Sequence, residues 1–312
     1  MKHTHSPVYP LVPSYRNNED LDIETTEKYI RFLENSGAKV LMTTAGTTQF
    51  NLLTTDEIRT LNRLTAETFS GCKILGLPSV STRESLKETE RLNAENYTDT
   101  ALMLLFPDRF YHNSEIVDWA CAVADLSIYP VYLHGMFMRK GTGGMYNYTS
   151  ELYNQLAAHP NIAGTKEETS DLPQAFNIIS QIKYPNFHTI VAGGTLRRFF
   201  FLNPAGAKTF LSGIGSIIPE IEEQFAQSFK ENDIQTCKYI VREYETPLFE
   251  VFSQIGWHPA LREALRIKGL CKNNRRPFAQ LNETEKKLTA EIITTLEKKF
   301  KADKLFNKAV KK

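Results

Sequence analysis

Long apolar runs are missing: none of about 18 residues, the length that crosses a membrane as a helix, occurs anywhere in the chain. Residues 1–10 also lack the apolar core of a secretory leader, so the expected location is the cytoplasm. Charge of one sign is not in excess. The 37 Lys and Arg against 36 Asp and Glu leave a net charge of +1, too weak a field to draw the protein to nucleic acid or anionic lipid. Cysteine is sparse, and Cys72, Cys121, Cys237 and Cys271 form no C-x-x-C pair. No histidine is spaced to join them around a metal, and His3, His5, His112, His159, His188 and His258 show no ligand spacing among themselves. Reduced, buried thiols and no metal are therefore expected. These absences leave a small molecule as the expected partner, with neither nucleic acid nor membrane.

What is present is alternation. Short apolar runs rich in β-branched residues occupy 8–13, 39–45, 73–77, 100–105, 129–133, 161–166, 188–192 and 207–211. Amphipathic helical patterns fall between them at 26–35, 56–69, 81–95, 114–124, 150–158 and 172–181, several opened by a Ser or Thr suited to capping. Eight such strands predict a closed (β/α)₈ TIM barrel of class α/β, because open doubly wound sheets usually stop sooner. From Pro219 the strands cease and helices are expected at 221–230, 233–255, 259–268 and 284–306. The expected organisation is a barrel over residues 1–218 and a C-terminal helical extension over 219–312. No Pro/Gly/Ser-rich linker separates them, so the extension is expected to pack on the barrel. The lysine-rich end, 298–312, reads as a solvated terminus.

Barrel enzymes carry their reactive groups at the carboxyl ends of the strands, which confines the search. Lys166 ends the sixth strand after Asn161-Ile162-Ala163-Gly164-Thr165. Burial at a barrel mouth disfavours an ammonium and supplies the neutral amine needed to attack a ketone. Taken alone, a strand-end lysine is more often a surface or ion-paired residue. At the end of the second strand, Ala45-Gly46-Thr47-Thr48 can offer N–H groups and hydroxyls to a carboxylate, or form a turn whose threonines cap the backbone. Gly141-Thr142-Gly143-Gly144 lacks the ending of a phosphate loop and reads as a flexible loop; Trp257-His258 before Pro259 reads as packing at a helix junction.

The order of these segments carries a resemblance. Gly46-Thr47-Thr48 after strand two, Pro107 after strand four, the Arg139 loop after strand five, Ile162-Ala163-Gly164-Thr165-Lys166 at strand six and Leu211-Ser212-Gly213 before Pro219 make the chain similar to the dihydrodipicolinate synthase and N-acetylneuraminate lyase family over residues 8–296. That resemblance implies a class I aldolase, a homo-oligomer (dimer or tetramer), and a 2-oxo acid such as pyruvate bound as an imine on Lys166. It implies that Thr47 and Thr48, with Gly46, hold the acid's carboxylate, and that Thr47 joins a proton relay. Arg139 would grip a distal carboxylate, and Gly193 and Leu211 would line the substrate. The imine itself supplies the electrophile, so no metal or organic cofactor is implied.

The chain also departs from the family's pattern. G-T-T-G-E stands here as Gly46-Thr47-Thr48-Gln49, one residue short if Gln49 takes the place of the Glu. The Tyr-Asn after strand five is His134-Gly135, which makes His134 the candidate for proton transfer, an imidazole titrating near ~6.5 when unperturbed. A pair of tyrosines is replaced by Asp108 and Arg109, with Phe110-Tyr111 further on, and Gly-Asp-Asp after strand seven is Gly193-Gly194-Thr195. The expected activity is that of a Schiff-base lyase, aldolase or dehydratase on a 2-oxo acid or sugar acid. The alternative is a catalytically degenerate member that binds a small acid or serves a non-catalytic role.

Overall fold

A computed structural model describes residues 5–105, 109–278 and 280–307. Pro107, Asp108, His3 and the far end of the lysine-rich tail lie outside the described residues. Eight strands form one parallel sheet: β1 (Val8–Pro10), β2 (Val40–Met42), β3 (Cys72–Gly76), β4 (Thr100–Leu104), β5 (Val131–Gly135), β6 (Ile162–Glu167), β7 (His188–Val191) and β8 (Thr209–Phe210). They pair in chain order, and a parallel bridge from Val8 to Leu211, with Ser212 N donating to Val8 O at 2.7 Å, closes the sheet on itself. This is the (β/α)₈ barrel expected from the alternation.

Several helices start where a capping side chain satisfies the amides that a first turn leaves unpaired. Asp22 caps α1 (Ile23–Asn35), Thr54 and Glu57 form a capping box on α2 (Thr55–Thr68), and Ser81 caps α3 (Thr82–Glu95). Helix α4 (Asn113–Leu126) follows β4, and Thr149 and Asp171 cap α5 (Ser150–Ala157) and α6 (Leu172–Ser180). Helix α7 (Thr195–Leu202) lies between β7 and β8, and α8 (Pro219–Lys230) follows the last strand.

Strand alternation divides the core in two. Val8, Val40, Met42, Ile74, Ala101, Met103, Tyr132 and Ile190 pack together inside the barrel, whereas Tyr9, Leu41, Leu75, Leu102, Leu133 and Val191 join the layer under the helices. The same parity sends His134, two places beyond Tyr132, and Lys166, the register partner of Ile190 and of His134, into the barrel. Gly164 permits the tight packing beneath Lys166, since a Cβ there would lie 2.0 Å from the His188 carbonyl oxygen.

One feature absent from the sequence reading is a small ribbon of Arg109–Phe110, Met138–Lys140 and Met145–Tyr146, which ties the loop after β4 to the loop after β5. Gly141-Thr142-Gly143-Gly144 is the turn of this ribbon. The helix expected over 233–255 is also interrupted. Residues Ile234–Ile240 form α9 and Thr246–Ile255 form α10, with a π-helical turn at Val241–Glu245 between them, because Pro247 has no N–H to continue the ladder.

The extension continues with α11 (Trp257–Ile267), α12 (Glu283–Ala302) and the short α13 (Lys304–Asn307). Trp257 stacks on Phe249 at 4.9 Å across the α10–α11 junction. Arg262 on α11 donates to Pro13 O at 2.9 Å, beyond β1, and Arg275 reaches Leu52 O and Glu57 beyond β2. The extension thus clamps the loops at the carboxyl ends of β1 and β2. Among the described residues no helix is long and apolar enough to cross a membrane. Among the described residues Cys72, Cys121, Cys237 and Cys271 form no disulfide, and all but Cys121 are buried.

Candidate active site

Three side chains meet at the ends of β5 and β6. Lys166 is 0% exposed, and its Nζ lies 2.7 Å from His134 Nε2 and forms an ion pair with Glu168 Oε1. Glu168 Oε2 lies 2.9 Å from the same His134 Nε2. The barrel dictates this meeting: His134 and Lys166 are register partners on adjacent strands, and Glu168, two residues past Lys166, returns to the same side of the chain.

Burial lowers the Lys166 amine below its ordinary range, although the charge of Glu168 works against that. Burial likewise lowers the His134 imidazole, and the neighbouring Lys166 lowers it further. Burial opposes ionisation of Glu168, yet Lys166 and His134 outweigh it and hold this carboxyl well below the usual carboxylate range. Its side chain is 26% exposed, the most solvent-facing of the three. One ring nitrogen thus faces two partners. It accepts a proton from an ammonium or donates one to a carboxylate, and it cannot do both at once.

The loop after β2 covers this cluster. The Phe50 ring meets the His134 ring edge-on at 5.7 Å. Thr48 is buried and its hydroxyl accepts from Ala45 N at 3.1 Å, so it caps the turn while its own O–H stays available to donate. Thr47 is buried beside it, and among the described residues nothing lies within 4 Å of where a Cβ on Gly46 would point. Gly193, with φ +74°, likewise faces open space, and buried Leu211 belongs to the packing inside the barrel. Arg139 is exposed on the ribbon, away from the amine's own contacts.

Glu168 was not singled out in the sequence, though its place two residues beyond a strand-end lysine was the available signal. His258, near the start of α11, is half-buried and feels the charges of Glu168 and Lys166, so the extension reaches the same mouth. Burial is the main cause of its lowered imidazole pKa. Two other hollows lie elsewhere. One of about 610 Å³ touches Ser6, Lys39 and Lys208 ahead of their strands, at the opposite end of the barrel, and an open one of about 820 Å³ lies between α5 and the end of α6.

A closed parallel barrel that buries a lysine against a histidine and a glutamate at the strand ends defines the class, a (β/α)₈ barrel protein with a polar cluster at its mouth. Comparison with known proteins agrees with that class. The model of the dihydrodipicolinate synthetase family matches residues 5–296. A 4-hydroxy-tetrahydrodipicolinate synthase of Archaeoglobus fulgidus is 28% identical over 293 residues, covering 92% of this chain and 96% of the relative. A probable mitochondrial 4-hydroxy-2-oxoglutarate aldolase of Emericella nidulans is 22% identical over 241 residues, covering 74% of this chain and 75% of its own. Among solved structures, dihydrodipicolinate synthase from Thermotoga maritima shares the fold with a TM-score of 0.79 at 17% identity, over 95% of this chain and 99% of that one. The chain belongs to the dihydrodipicolinate synthetase family.

Proposed function

We propose that the protein is a Schiff-base lyase or aldolase acting on pyruvate or a related 2-oxo acid, with Lys166 as the nucleophile. The observation that carries this reading is a fully buried amine, lowered by burial, with a proton acceptor 2.7 Å away. In the neutral form, Nζ attacks C2 of the 2-oxo acid to give a carbinolamine. His134 moves one proton from that nitrogen to the carbinolamine oxygen, a second proton taken up from solvent lets that oxygen leave as water, and a protonated imine remains. The imine then accepts the electron pair released when a bond at C3 breaks, whether to a proton or to C4. Glu168, held ionised, stabilises the cationic nitrogen through these steps.

Thr47 and Thr48 hold the carboxylate of the acid, the free O–H of Thr48 donating to it, with Gly46 leaving room. Gly193 and Leu211 line the bound chain, and Arg139 is assigned to a distal carboxylate. A homo-oligomer, dimer or tetramer, is the assembly we assign, with residues 1–218 as the catalytic barrel and 219–312 as its support.

The test is incubation with pyruvate, reduction with borohydride and mass spectrometry. An adduct on Lys166, absent in Lys166→Ala, is expected. No adduct across a panel of 2-oxo acids would overturn the proposal. One observation favours a second reading, a degenerate barrel that binds an acid without turnover: the amine is engaged by Glu168 in the resting protein. Binding of 2-oxo acids without any reducible adduct is the result that reading requires.

A further inference from the structure

Gln49 breaks two local rules at once. Its side chain lies in a residue only 1% exposed, yet among the described residues neither Oε1 nor Nε2 has a hydrogen-bond partner. A buried amide left unpaired in this way lowers stability and calls for an explanation. Its backbone sits in the left-handed region at φ 59°, ψ 44°, which a glycine adopts more readily. The turn holds it there, with Gln49 N donating to Gly46 O and Leu52 N donating to Gln49 O, each at 2.8 Å. The residue stands between Thr48 and Phe50, whose ring packs on His134, and open space faces Gly46 in the same turn.

A carboxamide offers one donor face and one acceptor face. A substrate hydroxyl satisfies both, accepting from Nε2 and donating to Oε1, whereas a carboxylate satisfies Nε2 alone and sets its charge against Oε1. The ionised Glu168 beside Lys166 adds a further penalty to any second anion at this end of the site. We propose that the Gln49 carboxamide reads a hydroxyl group on the chain of the bound 2-oxo acid and so determines which acids the site prefers. This rests on the imine reading of Lys166 for its chemistry, though not for its binding test.

The matched pair 2-oxobutanoate and 4-hydroxy-2-oxobutanoate differs by one hydroxyl and serves as the probe. Wild-type protein should bind the hydroxylated acid more tightly, by ~10-fold or more for one to two hydrogen bonds. In Gln49→Leu that preference should vanish while affinity for 2-oxobutanoate is retained. The unliganded variant should melt no lower than wild type, because it loses an unpaired polar group. Affinities are read by calorimetry on both wild type and Lys166→Ala, which forms no imine, and adduct yield is read separately after borohydride. Failure of the imine reading shows as no adduct in any protein, with the calorimetric preference still deciding the role of Gln49. Equal affinity for the two acids in wild type, or an unchanged preference in Gln49→Leu, overturns the proposal.

Discussion

Lys166 Nζ and His134 Nε2 lie 2.7 Å apart because the two residues are register partners on neighbouring parallel strands. Their contact is set by the barrel and not by a loop, which fixes a proton acceptor beside the amine. Burial and Lys166 both lower the His134 imidazole, which keeps it neutral and able to accept. His134→Phe should therefore lower turnover by ~10²-fold or more, the usual weight of general acid–base catalysis. Borohydride trapping of pyruvate on Lys166 should persist at a slower rate. Turnover equal to wild type would assign His134 a packing role.

Glu168 acts on the same amine with the opposite sign. Burial lowers the Lys166 amine and the Glu168 charge raises it, so Glu168→Gln should lower it further. The sign follows directly: the neutral amine then becomes available at lower pH, and the midpoint of adduct formation against pH should move in the acid direction. Turnover should fall, since the cationic imine loses its counter-charge. An unmoved trapping profile would show that the ion pair does not control the nucleophile. Adduct appearing in the variant but never in wild type would mean that Glu168 locks the site shut.

Much of this was legible before the structure, and the physics says why. Eight β-branched runs separated by capped amphipathic helices admit few arrangements other than a barrel, and Lys166 at a strand end is visible because position in a barrel is tied to function. Glu168 and Gln49 were harder to see. Glu168 matters through a contact across two strands, and one-dimensional spacing does not show that its carboxylate reaches the imidazole of His134. The ribbon formed by Arg109–Phe110, Met138–Lys140 and Met145–Tyr146 depends on pairing between short segments from different loops, and segments of two or three residues have no periodicity to detect. The π-helical turn before Pro247 had a readable cause, a missing N–H inside a helical pattern.

Glu222 and Glu245 offer a stability test remote from the amine. Burial pushes Glu222 up to about 7, against hydrogen bonds such as the one from Gly213 N at 2.9 Å, and burial pushes Glu245 up to about 7 despite donation from Leu196 N at 2.7 Å. A carboxyl whose folded pKa is raised binds its proton more tightly when folded. Its stabilising effect is complete below the unfolded value near ~4.3 and fades as pH rises through about 7. Wild-type melting temperature should therefore fall between pH 5 and pH 8 relative to Glu222→Gln, which resembles the protonated acid at every pH. The differential is on the order of 3 kcal/mol. Parallel melting curves for the two proteins over this range would show that Glu222 does not titrate there.

The last prediction concerns the other side of the lysine-bearing strand. Glu167 alternates away from Lys166 and pairs with Arg198 of α7, whose Nη2 donates to Oε2 at 3.0 Å, while Thr169 N donates to Oε1 at 2.7 Å. Arg198 also donates to the Thr169 carbonyl, so one guanidinium holds the strand end on both sides of Glu168. Both partners are buried, and removing one leaves the other charge without compensation. Arg198→Met should cost roughly 3–5 kcal/mol, and adding Glu167→Gln should restore most of it, because the loss comes chiefly from the stranded carboxylate. Denaturant unfolding of the two single variants and the double variant measures this coupling. If Arg198→Met costs less than about 1 kcal/mol, or the second substitution restores nothing, the pair is not what anchors the end of β6.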